Sequence, residues 1–253
     1  MKNIAGMSVL VTGASSGIGA GVARFFARHG AQVTIVGRRE DRLEGVRAEI
    51  GDACSAVVGD VTIDADRRRM LAAAEAHGGG LDALISNAGN MYRGPITELS
   101  ESALIDIFNS NVVAGMLLTG LAVPLLEKRR GAVIFVGSVH TRRAFPGASP
   151  YAATKGALET LTRVLAAELG SRGVRVNCVV PGAVLTEIYQ RAGILDDQQA
   201  SARLAAMEGE HALGRIGSVE EIAEAMAYLV CAEWTTGAIL DVDGGLGLGV
   251  THA

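Results

Sequence analysis

The chain has 253 residues, 49% of them hydrophobic and 20% charged, which excludes a disordered polymer and fits one α/β core, since such cores run to roughly 250 residues. A formal net charge of −4 with no basic block excludes general attraction to nucleic acid or anionic membranes and leaves small molecules as the expected partners. Cys54, Cys178 and Cys231 are far apart and form no CxxC pair, so no metal site is expected and the thiols point to a reducing, cytoplasmic setting.

The amino-terminal stretch "MKNIAGMSVLV" carries no small-residue cleavage pattern and runs directly into "TGASSGIG", Thr12 to Gly19, so no signal peptide is expected. Short apolar runs then recur along the chain: "SVLVT", "QVTIVG", "SAVVG", "LDALIS", "GAVIFVG", "VRVNCVV" and "GAILDVD". They lack the polar alternation of a strand with one wet face, which predicts strands covered on both sides in a parallel sheet. Helical segments separate them. "VARFFARHG" ends at Gly30, "REDRLEGVRAEIG" ends at Gly51, Pro150 to Leu169 has helical character, and "SVEEIAEAMAYLV" opens with a Ser-x-x-Glu capping pattern. The longest apolar stretch, Val112 to Leu126, contains Pro124 and falls short of the ~20 residues of a bilayer span. The segment 186–217, between the last two strands, is longer than an ordinary connection and is expected to close over a ligand. No repeat or linker divides the chain, so 1–253 is read as one domain.

Three glycines after a strand predict backbone that a ligand approaches closely. The spacing, Gly13-x-x-x-Gly17-x-Gly19, is neither the Gly-x-Gly-x-x-Gly of the best-known dinucleotide motif nor a triphosphatase loop. A pyrophosphate at the start of the following helix suits it. At the end of the second run, "TIVGRRE" places Gly37 where an acid would bind ribose hydroxyls, followed by Arg38 and Arg39. Arginine there suits a 2′-phosphate, so NADP(H) is expected in preference to NAD(H). In "YAATK", Tyr151 and Lys155 lie four residues apart on one helical face. An ammonium beside a phenol favours the phenolate and brings its usual pKa of about 10 toward neutrality. Ser138, ending "AVIFVGS", joins them if the fifth strand and this helix are neighbours.

This combination resembles the classical short-chain dehydrogenase/reductase family from about Ser8 to Gly245, on "TGASSGIG", "GDV" at Gly59 to Val61, "NAG" at Asn87 to Gly89, Asn111, Ser138, "YAATK", "PGAVLT" at Pro181 to Thr186 and "DVDGG" at Asp241 to Gly245. The resemblance implies an α/β fold of Rossmann type, doubly wound, with a seven-stranded, mostly parallel sheet and helices on both faces. It also implies an oxidoreductase interconverting a ketone and a secondary alcohol. By the same resemblance, Tyr151 exchanges the proton, Lys155 tunes it and binds the nicotinamide ribose, Ser138 bonds the substrate oxygen, and Asn111 supports a water leading to Lys155.

The implied cofactor site takes in Gly13, Ser15, Ser16, Gly17, Ile18 and Gly19 of the loop, Arg38 and Arg39, and Asp60 and Val61 at the adenine. It continues through Asn87, Ala88 and Gly89, Tyr151 and Lys155, and Pro181, Gly182, Val184 and Thr186. His140, Phe145 and Tyr189 are expected to meet substrate, and Arg142 and Arg143 stand nearby to meet an anionic or polar one. A 3-oxoacyl chain on a carrier protein is the alternative substrate, docking on Arg129 and Arg172, and a non-catalytic NADP-binding regulator is the rival class. A homotetramer through the helices following Ser100 and Pro150 is also implied.

Overall fold

The computed structural model describes residues 1–186 and 196–249. Seven strands form one sheet: β1 (Ser8–Thr12), β2 (Gln32–Gly37), β3 (Cys54–Val58), β4 (Ala83–Ser86), β5 (Ala132–Val136), β6 (Arg175–Pro181) and β7 (Ile239–Val242). Their order is β3-β2-β1-β4-β5-β6-β7, and every pairing is parallel, so the expected mostly parallel sheet is wholly parallel. β1 pairs with β2 on one side and β4 on the other. The winding direction therefore reverses beside β1, and a crevice opens beyond the carboxyl ends of these strands.

β1 and β5 are buried at every position because helices cover both faces. Val9 and Val11 belong to one apolar layer with Phe25, Phe26, Ile222 and Met226, while Leu10 between them joins Met70, Leu118, Leu126 and Leu158 in the other. The first layer is closed by α1 (Gly17–Arg28) and α8 (Val219–Cys231), the second by α3 (Asp64–Gly78), α5 (Ala114–Arg129) and α6 (Ser149–Leu169). α2 (Glu40–Ile50) flanks β2 and β3, and α4 (Glu101–Phe108) leads into α5. The capping pattern read at Ser218 is realised as a reciprocal box with Glu221, whose carboxyl Arg215 and the Ser218 amide hold down at about 2.

A π-helical turn, Asn109–Val113, joins α4 to α5, giving a continuous helical run Glu101–Arg129 that is long and apolar enough by length and composition alone to cross a membrane. Leu118, Ala122 and Leu126 bury one side of it on the sheet, while Ile105, Val113, Met116 and Leu117 stay exposed. One face serves the core and the other is an apolar stripe left exposed among the described residues.

α1 and α8 approach through Gly21: a Cβ there would lie 2.0 Å from Val219 Cγ1. Gly21→Ala is therefore expected to lower stability by about 1–3 kcal/mol through overpacking, against ~1 kcal/mol gained in helix propensity. Adding Val219→Ala should recover most of the loss in thermal unfolding.

Candidate functional site

β1 ends at Thr12 and α1 begins at Gly17, so the glycine loop sits at the reversal of strand order. Gly13 and Gly17 have φ of +67° and +56°, a region that side chains other than glycine rarely adopt. Packing also restricts the loop: a Cβ on Gly13 would lie 2.8 Å from Ala88 Cα, and one on Gly19 would lie 2.5 Å from Asn87 Nδ2. The Asn87 amide donates to the Thr12 and Gly13 carbonyls at 2.9 and 3.2 Å, and the Asn87 and Ala88 backbone amides donate to Thr12 Oγ1. Gly13 and Gly19 thus let the end of β4 close on the loop, and Gly19 is buried beneath the cleft. The ligand-facing part is the helix start. Ser16 is the N-cap of α1 without a side-chain cap bond; its hydroxyl instead accepts from Arg39 at 2.8 Å, and Ser15 accepts from the same nitrogen at 3.2 Å. First-turn amides of α1 are left for an anion at the positive end of the helix.

One end of the cleft is lined by Gly13, Ser15, Arg38, Arg39, Asp60, Val61, Ala88 and Gly89. Arg38 stands at its rim, 3.6 Å from Asp60. Burial opposes ionisation of Asp60, but the Thr62 amide and hydroxyl together with Arg38 hold its carboxyl below the usual range. Gly37 leaves no room to spare, since a Cβ on it would lie 3.1 Å from Ser15 Cβ. Two guanidinium groups and no carboxylate of β2 therefore meet whatever lies there.

The other end holds the side chains expected to carry the chemistry. α6 presents Tyr151 and Lys155 on one buried face. Lys155 Nζ donates to the Val136 carbonyl at 2.7 Å and lies 5.4 Å from the Tyr151 ring centroid. Burial lowers the ammonium to about 8. β5 and α6 are neighbours, as the placement of Ser138 required. Ser138 lies just past β5, with His140 Nδ1 3.0 Å from its Oγ. The His140 ring stacks on Phe145, with centroids 4.3 Å apart, and meets Tyr151 edge-on at 5.1 Å. Phe145 backs His140, and His140 itself lines the cleft. Asn111 occupies the π turn, where its side chain accepts from the Asn90 amide at 2.7 Å and donates to the Asn90 carbonyl at 2.9 Å and to Thr154 Oγ1 at 3.1 Å. It pins the segment after β4 to α6.

Ser16, Gly17, Ile18, Asn87, Pro181, Gly182, Val184 and Thr186 complete this half of the cleft. The described part of the long insertion supplies its outer wall, because α7 (Asp197–Met207) turns Leu204 and Met207 toward it. Tyr189 and residues 187–195 of the expected lid lie outside the described residues. The arginines behave differently from expectation: Arg142 is bound to Glu159 and Asp241, both at 2.9 Å, and Arg143 to Glu210 at 2.8 Å. They brace the loop and are not turned over to an anionic substrate. Arg172 is paired with Glu127, and Arg129 donates to the Gly79 carbonyl, which removes the basis for a free basic docking patch. Reasoning from sequence missed Thr154, Met91, Leu204 and Met207; only Asn90, adjoining "NAG", carried a local cue.

Comparisons with known proteins fit this geometry. The family described as enoyl-(acyl carrier protein) reductase matches residues 13–247. Glucose 1-dehydrogenase of Gluconobacter oxydans is 38% identical over 96% of this chain and 93% of its own length. The chain belongs to the short-chain dehydrogenase/reductase family. A short-chain dehydrogenase/reductase of unknown function from Caenorhabditis elegans, solved with cofactor, superposes with a TM-score of 0.91 at 29% identity, covering 98% of both chains. The 3-ketoacyl-(acyl-carrier-protein) reductase of Brucella melitensis, complexed with NADH, gives 0.88 at 32% identity over 96% of this chain and 99% of its own. As in this family generally, the protein is an oxidoreductase built to bind a nicotinamide cofactor.

The buried ammonium makes a pH signature. Lys155 is lowered from 10.5 to about 8 by burial, so between these values the unfolded chain binds more protons than the folded one and stability rises with pH. Denaturant titrations of the ligand-free protein from pH 8 to 10.5 should show it gaining stability relative to Lys155→Met, with parallel curves below pH 8.

Proposed function

We propose that the protein is an NADP(H)-dependent reductase or dehydrogenase interconverting a small neutral ketone and a secondary alcohol, with Tyr151 as general acid and base. One observation carries this reading: the buried Lys155 ammonium is anchored on β5 beside Tyr151 and lines the cleft together with Ser138, at one end of a cleft whose other end offers Arg38 and Arg39. The residues fit the cofactor. The uncapped start of α1 and the Ser15, Ser16 and Arg39 cluster suit phosphates, and Arg38 suits a 2′-phosphate where a carboxylate is missing.

When bound, the nicotinamide supplies or accepts the hydride. Tyr151 gives its proton to the carbonyl oxygen in reduction and removes it in oxidation. Lys155 favours the phenolate by its charge. Ser138 donates a hydrogen bond to the oxygen on which negative charge develops. Asn111 keeps α6 and the segment after β4 in register.

Met91, Val139, Leu204 and Met207 line the reacting end. Among the described residues, His140, Tyr151 and Lys155 are the ionisable side chains there, and this supports a neutral, partly apolar substrate. A carrier-bound 3-oxoacyl chain is the second reading, favoured by the reductase likeness and weakened by the engagement of Arg129 and Arg172. A pure regulator has no use for the tuned tyrosine. The exposed stripe of Ile105, Met116 and Leu117, together with Val164 on α6, supports association of copies into a homotetramer.

Cofactor choice is read by titrating both nucleotides. The protein should bind NADPH more tightly than NADH, and Arg38→Leu should weaken NADPH by roughly ten- to a hundredfold, the range for losing a charge-assisted bond, with NADH little changed. Equal binding of both nucleotides by the parent protein rejects NADP preference.

Chemistry is read on a panel of neutral ketones, ketoses and 3-oxoacyl thioesters, following NADPH absorbance. Tyr151→Phe should retain NADPH-dependent protection against unfolding yet lose about 10²–10⁴-fold in turnover. Parental turnover in that variant rejects the mechanism.

A further inference from the structure

Ser138 Oγ lies 3.0 Å from His140 Nδ1 and accepts the His140 backbone N–H at 3.4 Å, capping the short turn Val139–Thr141. The imidazole is fixed between Phe145, at 4.3 Å and 33°, and the Tyr151 edge, at 5.1 Å and 87°. A serine hydroxyl has one proton and two lone pairs. If Nδ1 accepts, it takes the only proton Ser138 has, and the hydroxyl has none for a reacting oxygen. If Nδ1–H donates, both lone pairs are filled from His140, and the Ser138 proton must turn toward the cleft that Ser138, His140 and Tyr151 line together.

We propose that His140 is a positioning residue that donates its Nδ1–H to Ser138 Oγ and so makes Ser138 an obligate donor to the substrate oxygen. The assignment rests on the oxidoreductase reading above and replaces the expectation that His140 and Phe145 chiefly meet substrate. Donation into Oγ also polarises the Ser138 O–H, strengthening its bond to an oxygen that gains negative charge in the transition state. Phe145 acts one step further back, by holding the imidazole plane. The neighbouring Thr141 hydroxyl donates to the Ser138 carbonyl at 2.8 Å, which steadies the turn on which both residues sit.

The tautomer can be read without a substrate. In the full-length protein with 15N-labelled histidine and added NADP+, at a pH where the imidazole is neutral, His140 should carry its proton on Nδ1, its signals being assigned by their loss in His140→Asn. Ser138→Ala should release it toward the Nε2–H form. An unprotonated Nδ1 in the parent protein overturns the proposal.

Kinetics with the best ketone of the panel separate donation from packing. His140→Phe keeps an aromatic ring beside Phe145 and Tyr151 but cannot donate, so kcat should fall about tenfold with KM nearly unchanged. His140→Asn puts an amide N–H near the place of Nδ1 and should recover most of that loss. An active Phe variant beside an inactive Asn variant, or a raised KM at constant kcat, overturns the proposal in favour of packing or substrate contact. Tyr151→Phe runs in parallel: if it remains active, the oxidoreductase reading itself has failed, whereas an inactive Tyr151→Phe beside a fully active His140→Phe sinks the His140 assignment alone.

Discussion

The Lys155 ammonium is the group on which one end of the cleft depends, because it is a cation kept inside the fold and, among the described residues, it donates to a single carbonyl, that of Val136. Removing a charge from water costs several kcal/mol even after relaxation, and the depressed value of about 8 records that cost. The Cys178 thiol opposes this only in part, because burial pushes the thiol itself up to about 12. A structure that tolerates such a group has arranged its surroundings around it. β5 must end where its last carbonyl faces α6, α6 must present residues 151 and 155 inward together, and Asn111 must hold α6 against the segment after β4 through Thr154.

The same logic governs the other end of the cleft in opposite sign. There the unspent charge is the partial positive end of α1, which has no side-chain cap, while the Ser16 hydroxyl accepts from Arg39. Adding Arg38 and Arg39 to a helix start concentrates positive potential along one edge, with Asp60 as the counterweight at the rim. The two ends are joined by the short span Asn87 to Asn90. Its first residue locks the glycine loop through the Thr12 and Gly13 carbonyls, and its last is clasped by Asn111. A shift of this span would move both ends together.

The sheet was legible in the sequence because strands covered on both faces are mostly apolar, which leaves runs such as "AVIFVG", although the edge strands β3 and β7 are partly exposed and not covered as their sequences suggested. Strand order was not legible, since no run carries a record of its neighbours. Tyr151 and Lys155 could be placed together because a helix brings positions four apart onto one face, and Ser138 because it follows a strand directly. What sequence could not supply was the state of side chains in loops. Arg142 and Arg143 look like ready anion receptors in "VHTRRAF", yet their partners, Glu159, Asp241 and Glu210, come from three distant elements. Gly13 and Gly19 suggested a ligand, and much of their smallness is spent on Asn87 and Ala88. Leu204 and Met207 were invisible for the same reason: the wall they build exists only after the insertion folds back.

Arg142 explains how the buried lysine keeps its charge unmatched. Glu159 lies four residues beyond Lys155 on α6, the spacing at which a carboxylate and an ammonium on a helix normally meet. Here Arg142 takes both Glu159 oxygens at 2.9 Å and adds Asp241 with its remaining reach. Burial opposes the Arg142 charge, but the two carboxylates outweigh it and hold the guanidinium cationic well above its ordinary range. Had Glu159 turned to Lys155, the pair would have raised the ammonium's pKa and screened its field at the phenol. With that acid bound to Arg142, Lys155 donates to the Val136 carbonyl and lies 5.4 Å from the Tyr151 ring centroid. The ion-pair network beside the site therefore engages Glu159 with Arg142 and not with the lysine one turn before it on α6.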